Sequence, residues 1–137
     1  MLGQGLISRR REPDQIERVA ATVLAAGRLA LGAGLWLAPG LSLRAFGFGD
    51  ASAQSVTLTR IAATRDLILG AWQLCSLSER RELHRATVAV AVADAGDTLV
   101  FALALGSTQT RGAGLRGLPA AAPAAALGGW LATRLRG

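Results

Sequence analysis

The sequence predicts an all-α protein: a four-helix transmembrane bundle with both termini in the cytoplasm. Three observations carry that expectation. Hydrophobic residues make up 51% of the 137-residue chain and charged residues only 18%, whereas a water-facing bundle needs a charged coat of roughly a quarter or more of its residues. The stretches 19–38 and 86–105 lack the regular polar stripe of a soluble helix, and mean hydropathy is +0.37. The arginines gather at alternate ends of the apolar stretches, as the positive-inside rule requires.

Residues 1–18 read as a cytoplasmic N-terminal arm, and 19–137 as one transmembrane domain. Ser8-Arg9-Arg10-Arg11 before an apolar run resembles a twin-arginine signal in outline. That run contains Arg28 and ends in Ala38-Pro39-Gly40 without a small-x-small cleavage site, so a retained anchor is expected. The four segments are about 19–38, 56–77, 86–105 and 115–135. Each reaches the roughly 20 residues needed to cross about 30 Å of hydrocarbon. The fourth is the weakest, with Pro119 and Pro123 in its first half.

With the N-terminus inside, Arg9, Arg10, Arg11, Arg18, Arg80, Arg81, Arg85, Arg134 and Arg136 lie on the cytoplasmic side, against Arg44, Arg111 and Arg116 outside. That asymmetry sets the orientation in the cell (inner) membrane. Trp36 and Trp130 fall near segment ends, as aromatic belts do, and Trp72 fits the inner side. The outer connection 39–55 reads either as a short interfacial amphipathic turn bearing Leu41, Leu43, Phe46 and Phe48 or as a plain exposed loop. The inner connection 78–85 is short, which makes segments two and three antiparallel neighbours. Residues 106–117 read as a flexible outer connection.

Ionisable residues near the middle of three segments are the candidate functional positions: Arg28 in the first, Arg65 and Asp66 in the second with Arg60 nearer its outer end, and Asp94 and Asp97 in the third. The set is three arginines and three aspartates, formally neutral. An unpaired charge at mid-bilayer costs about 2.5–3.5 kcal/mol on insertion scales. The third segment regains only about 4 kcal/mol from its apolar residues against roughly 6 for its two aspartates. It inserts only if Asp94 and Asp97 meet cations on other helices, or if one of them is protonated.

At 100° per residue, Asp94 and Asp97 share a face with Thr87, Val90 and Phe101. Asp66 shares a small or polar face with Thr59, Ala62, Ala63, Gly70 and Gln73, which lets another helix approach. Arg65 points about 100° away, among Leu58, Ile61, Leu69 and Trp72, and is expected to meet another helix or a second subunit. Small-residue stripes suited to close packing run along Ala26, Ala30 and Gly34, and along Ala120, Ala124, Gly128 and Ala132.

The segments Arg28-Leu29-Ala30-Leu31-Gly32 before Pro39, Ala63-Thr64-Arg65-Asp66-Leu67-Ile68-Leu69-Gly70, and the pair Asp94 and Asp97 together resemble an uncharacterised family of small four-helix integral membrane proteins, distantly DoxX-like. Its Arg-Asp-x-x-x-Gly element carries most of the likeness, with Ala63 here where Gly is more typical. The resemblance covers segments one to three and implies fold and membrane location, but no activity, cofactor or substrate.

Three functions remain open. The first is a structural or partner subunit, in a homo-oligomer or larger membrane complex, whose Arg/Asp contacts set helix register. The second is a proton-linked transporter or channel acting as an oligomer; the third is a protein that binds a lipid or other hydrophobic ligand. A helical bundle outside the bilayer is the residual alternative. Catalysis is not expected, because no Ser/His/Asp or Cys/His arrangement is present. His84 reads as a solvated loop residue and the lone Cys75 as a small apolar helix residue. No metal site, no cofactor and no nucleic-acid partner are expected; the arginines lack interleaved aromatics.

Overall fold

The computed structural model describes residues 12–136. Among them are five α-helices and no strands: α1 (Gln15–Leu37), α2 (Pro39–Ala45), α3 (Ala53–Cys75), α4 (Arg80–Ala104) and α5 (Arg111–Leu135). The all-helical class agrees with the sequence. The extra helix, α2, lies within the expected outer connection. Arg9, Arg10 and Arg11 lie outside the described residues.

Local chemistry sets most boundaries. The Asp14 carboxylate accepts from the Glu17 amide and the Glu17 carboxylate from the Asp14 amide, both at 2.8 Å, a capping box that starts α1. The helix therefore begins four residues earlier than the sequence predicts and takes in Glu17 and Arg18, which the sequence assigns to the arm. Ala38 leaves the helical region because Pro39 follows it, and Pro39 then opens α2. Gly47, at φ +82°, turns the chain where its Cα lies against the Gly112 backbone. Ser52 caps α3 by accepting from the Ser55 amide at 3.1 Å. The expected inner connection shrinks to a turn at 76–79, so His84 sits within α4. α5 begins within the expected outer connection at Arg111 and continues through Pro119 and Pro123.

Packing corrects the expected neighbours. The most extensive contacts join α1 to α3 and α4 to α5, while α3 and α4 touch only along a slight seam. The first pair is antiparallel: Gly32 faces Leu67 and the Ala63 carbonyl, and Gly70 faces Leu29 and the Ala25 carbonyl. Behind this reciprocity is a pattern shared by the two helices. Residues 25–32 read Ala-x-x-Arg-Leu-x-Leu-Gly and residues 63–70 read Ala-x-x-Asp-Leu-x-Leu-Gly. Each glycine accepts the other helix's leucine, and the charged positions, Arg28 and Asp66, meet between them.

The stripe Ala26, Ala30 and Gly34 is therefore exposed, and Ala21, Ala25, Arg28 and Gly32 are buried in its place. Those four lie on one helix face at spacings of three, four and seven, so turning Arg28 inward buries the small residues beside it. Along α4 and α5, Gly128 packs on Ala91, and Gly114 and Gly117 pack on Phe101. Phe101 also stacks on Phe46, with centroids 6.3 Å apart. Ala21, Leu83, Leu131 and Leu135 close the end of the bundle where α1 begins.

Charged and polar side chains share the interior with apolar ones, and many large hydrophobic side chains lie on the surface. Glu17, Arg28, Asp66, Gln73, Thr87 and Asp94 are buried, while Val23, Leu37, Ile61, Ile68, Val92 and Leu103 are exposed. Two helices, α1 and α4, are long and apolar enough to cross a membrane. α3 has the length, but every 18-residue window in it contains Arg60, Arg65 and Asp66.

Candidate functional site: a buried arginine–aspartate chain

Halfway along the bundle, five of the six sequence-predicted charged residues form one continuous chain. Arg28 of α1 donates through Nη1 to Asp66 Oδ1 of α3 at 2.6 Å, and through Nη2 to Asp94 Oδ1 of α4. Arg65 donates to the same Asp66 Oδ1 at 3.1 Å and grips Asp97 of α4 with both terminal nitrogens, at 2.6 and 3.0 Å. The order is Asp94–Arg28–Asp66–Arg65–Asp97, with sign alternating at each step.

The two ends differ. Arg28, Asp66 and Asp94 are buried, the last only 6% exposed. The Arg65 and Asp97 side chains, 39% and 34% exposed, lie at the surface along the seam between α3 and α4. The buried end is built by α1 and α3, whose glycines bring the backbones close enough for Arg28 and Asp66 to meet. α4 then supplies Asp94 and Asp97 from one face, three residues apart.

Arg60 does not join. Its guanidinium lies over the Trp36 ring at 5.6 Å from the centroid, a cation–π contact at the bundle surface. Arg60 belongs to the N-terminal half of α3, more than a turn from Arg65, and the indole is the partner within its reach. The neutral six-residue set is thus replaced by a five-residue one with three carboxylates and two guanidiniums. Asp94 Oδ2 is buried with no hydrogen-bond partner.

Arg65 also departs from expectation by touching Asp66. Its Cα lies about 100° from that of Asp66 around the helix, but the side chain folds back across its own helix to the seam, where Asp97 anchors it. A long guanidinium stem spans what the Cα direction forbids.

A second charged cluster, which the sequence reading missed, closes the end where α1 begins. Glu17 is 1% exposed and its carboxylate accepts from Arg80 of α4 at 2.5 Å, with Arg134 Nε of α5 at 3.7 Å. Arg134 also donates to Asp14 at 3.0 Å and lies over Trp130. The hydrogen bond from the Glu17 amide, followed by the one from Arg134, holds the Asp14 carboxyl below the usual aspartate range. The Asp14-x-x-Glu17 capping spacing was visible in the sequence; the arginines, 63 and 117 positions beyond Glu17, were not assignable to it. Between the two clusters Gln73 donates to Thr87 at 3.1 Å, a further α3–α4 link. Cys75 is exposed as the last residue of α3.

Chemically, the central chain ties α1, α3 and α4 into one register through charge-assisted bonds. No protein-family model, curated protein or solved structure matches the chain.

Proposed function

We propose that the protein is a small multi-pass membrane protein, its four long helices spanning the bilayer with both ends in the cytoplasm, and that it serves as a structural or partner subunit. One observation carries this reading: charged side chains pair inside the bundle while many large hydrophobic ones lie exposed on its surface. In hydrocarbon that arrangement is favourable, because lipid accepts the outward side chains and each ion meets its counter-ion. In water those side chains would stay exposed, which marks a membrane or interaction surface.

Within the bilayer the Arg28–Asp66–Asp94 core acts as a register device. It excludes sliding of α1, α3 and α4, since a one-residue shift would separate the charges. The partner role rests on the seam between α3 and α4. There the Arg65–Asp97 pair reaches the surface at mid-depth, where exposure to lipid alone is costly and a neighbouring protein would cover it.

The test is extraction and labelling. The protein should stay in the pellet after alkaline carbonate and dissolve only with detergent. In a Cys75→Ser background, Ser78→Cys should react with an impermeant maleimide only in inverted vesicles, and Asp50→Cys only in intact cells or spheroplasts. Release by carbonate, or labelling of both positions from the same side, would remove the reading.

A further inference from the structure

We infer that the central chain binds one proton, held on Asp94. The inference rests on the bilayer reading above and on a count. Three carboxylates, Asp66, Asp94 and Asp97, share two guanidiniums, Arg28 and Arg65. The sixth residue that would balance them, Arg60, is engaged with Trp36 at the surface. Around the site, α1 supplies Arg28, α3 supplies Arg65 and Asp66, and α4 supplies Asp94 and Asp97. α5 carries no ionisable residue between Gly117 and Thr133. Five ionised groups would leave one uncompensated negative charge out of reach of water, the arrangement that a low-dielectric interior penalises most. One bound proton makes the set neutral.

Geometry selects the carboxylate. Asp97 accepts with both oxygens from Arg65. Asp66 accepts from both Arg28 and Arg65 and sits between two cations. Asp94 has a single cationic partner and lies at the closed end of the chain, 6% exposed, with Oδ2 buried and unpartnered. A proton on Oδ2 leaves Oδ1 free to keep the Arg28 bond. Loss of that proton would place a net charge on the register device itself.

Infrared spectroscopy of the full chain, reconstituted in phosphatidylcholine–phosphatidylglycerol vesicles, tests this directly. At neutral pH the wild type should show the carbonyl stretch of a protonated carboxylic acid, shifting on exchange into D2O. Asp94→Asn should lose that band. Asp97→Asn should lose it too, because two carboxylates against two guanidiniums need no proton; this second variant keeps the test open if Asp94→Asn does not fold. Arg60→Gln should leave the band unchanged. A wild type without the band, or a band that persists in both aspartate variants, overturns the proposal while leaving the membrane assignment intact. Carbonate extraction of the same protein reports on that assignment separately.

Discussion

Gly32 of α1 and Gly70 of α3 occupy equivalent places in an antiparallel pair: a Cβ on either would come within about 3 Å of the facing leucine and 3.1 Å of the facing alanine carbonyl. Arg28 and Asp66 meet halfway between the two glycines. Close backbone approach and the buried ion pair are thus one feature, since the first sets the distance over which the second can form.

Gly70→Ala should therefore destabilise the protein by about 1–3 kcal/mol, the range for overpacking a tight contact. The Ala25 carbonyl is backbone and cannot swing aside. Gly27→Ala and Gly34→Ala meet nothing within 4 Å and should be neutral or slightly stabilising. Denaturant titration in detergent micelles, followed by loss of helicity, compares the three.

Arg28 and Arg60 should behave differently although both lie within long helices. Arg28→Leu leaves Asp66 without its buried partner and Asp94 with none, at a cost of about 3–5 kcal/mol. Arg60→Leu removes one surface cation–π contact and should cost about 1 kcal/mol or less. The same titration distinguishes them, and equal effects would mean that Arg60 shares the buried chain after all.

Glu17→Gln should loosen the bundle end where α1 begins, because Arg80 and Arg134 both address that carboxylate. Loss of a charge-assisted bond of this kind costs about 1.5–3 kcal/mol. Hydrogen exchange should rise in the first turns of α1 and α4 and stay unchanged around Arg28.

Acid should act on the same end through Asp14. Its carboxyl is held below the ordinary aspartate range by the Glu17 amide first and Arg134 second, so the folded state favours the ionised form. That stabilisation is complete above the ordinary value and is lost as pH falls through the lower, folded one. Fraying of the first turn of α1, read by hydrogen exchange or limited proteolysis, should therefore increase on acidification across that interval. Asp14→Asn keeps a cap without the charge and should flatten the response.

Much of the helical layout was legible in advance because its causes are local. Pro39 stops the first long helix and apolar runs mark the long elements, whereas the Asp14–Glu17 cap that moves the start of α1 back to Gln15 was not read. α2 was harder to foresee: its seven residues carry too little periodicity, and it is held by tertiary contacts, including Arg116 donating to the Arg44 carbonyl at 3.1 Å. The small-residue face around Asp66 could be read from spacing alone. On α1, two small-residue stripes run side by side, and spacing could not choose between Ala26, Ala30, Gly34 and the face that Arg28 carries inward.

The amino-acid order by itself determined the helical class, the apolar runs and which residues place charge within them. All of these follow from interactions a few positions apart. Only the tertiary structure decided which charges meet. A guanidinium stem reaches far enough to face several partners, so Arg65 folds back to Asp66 while Arg60 turns to Trp36. Glu17 finds Arg80 and Arg134 across more than 60 positions of chain. Pairing of this kind depends on helix packing, here fixed by Gly32 and Gly70, and so does the odd carboxylate it leaves at Asp94.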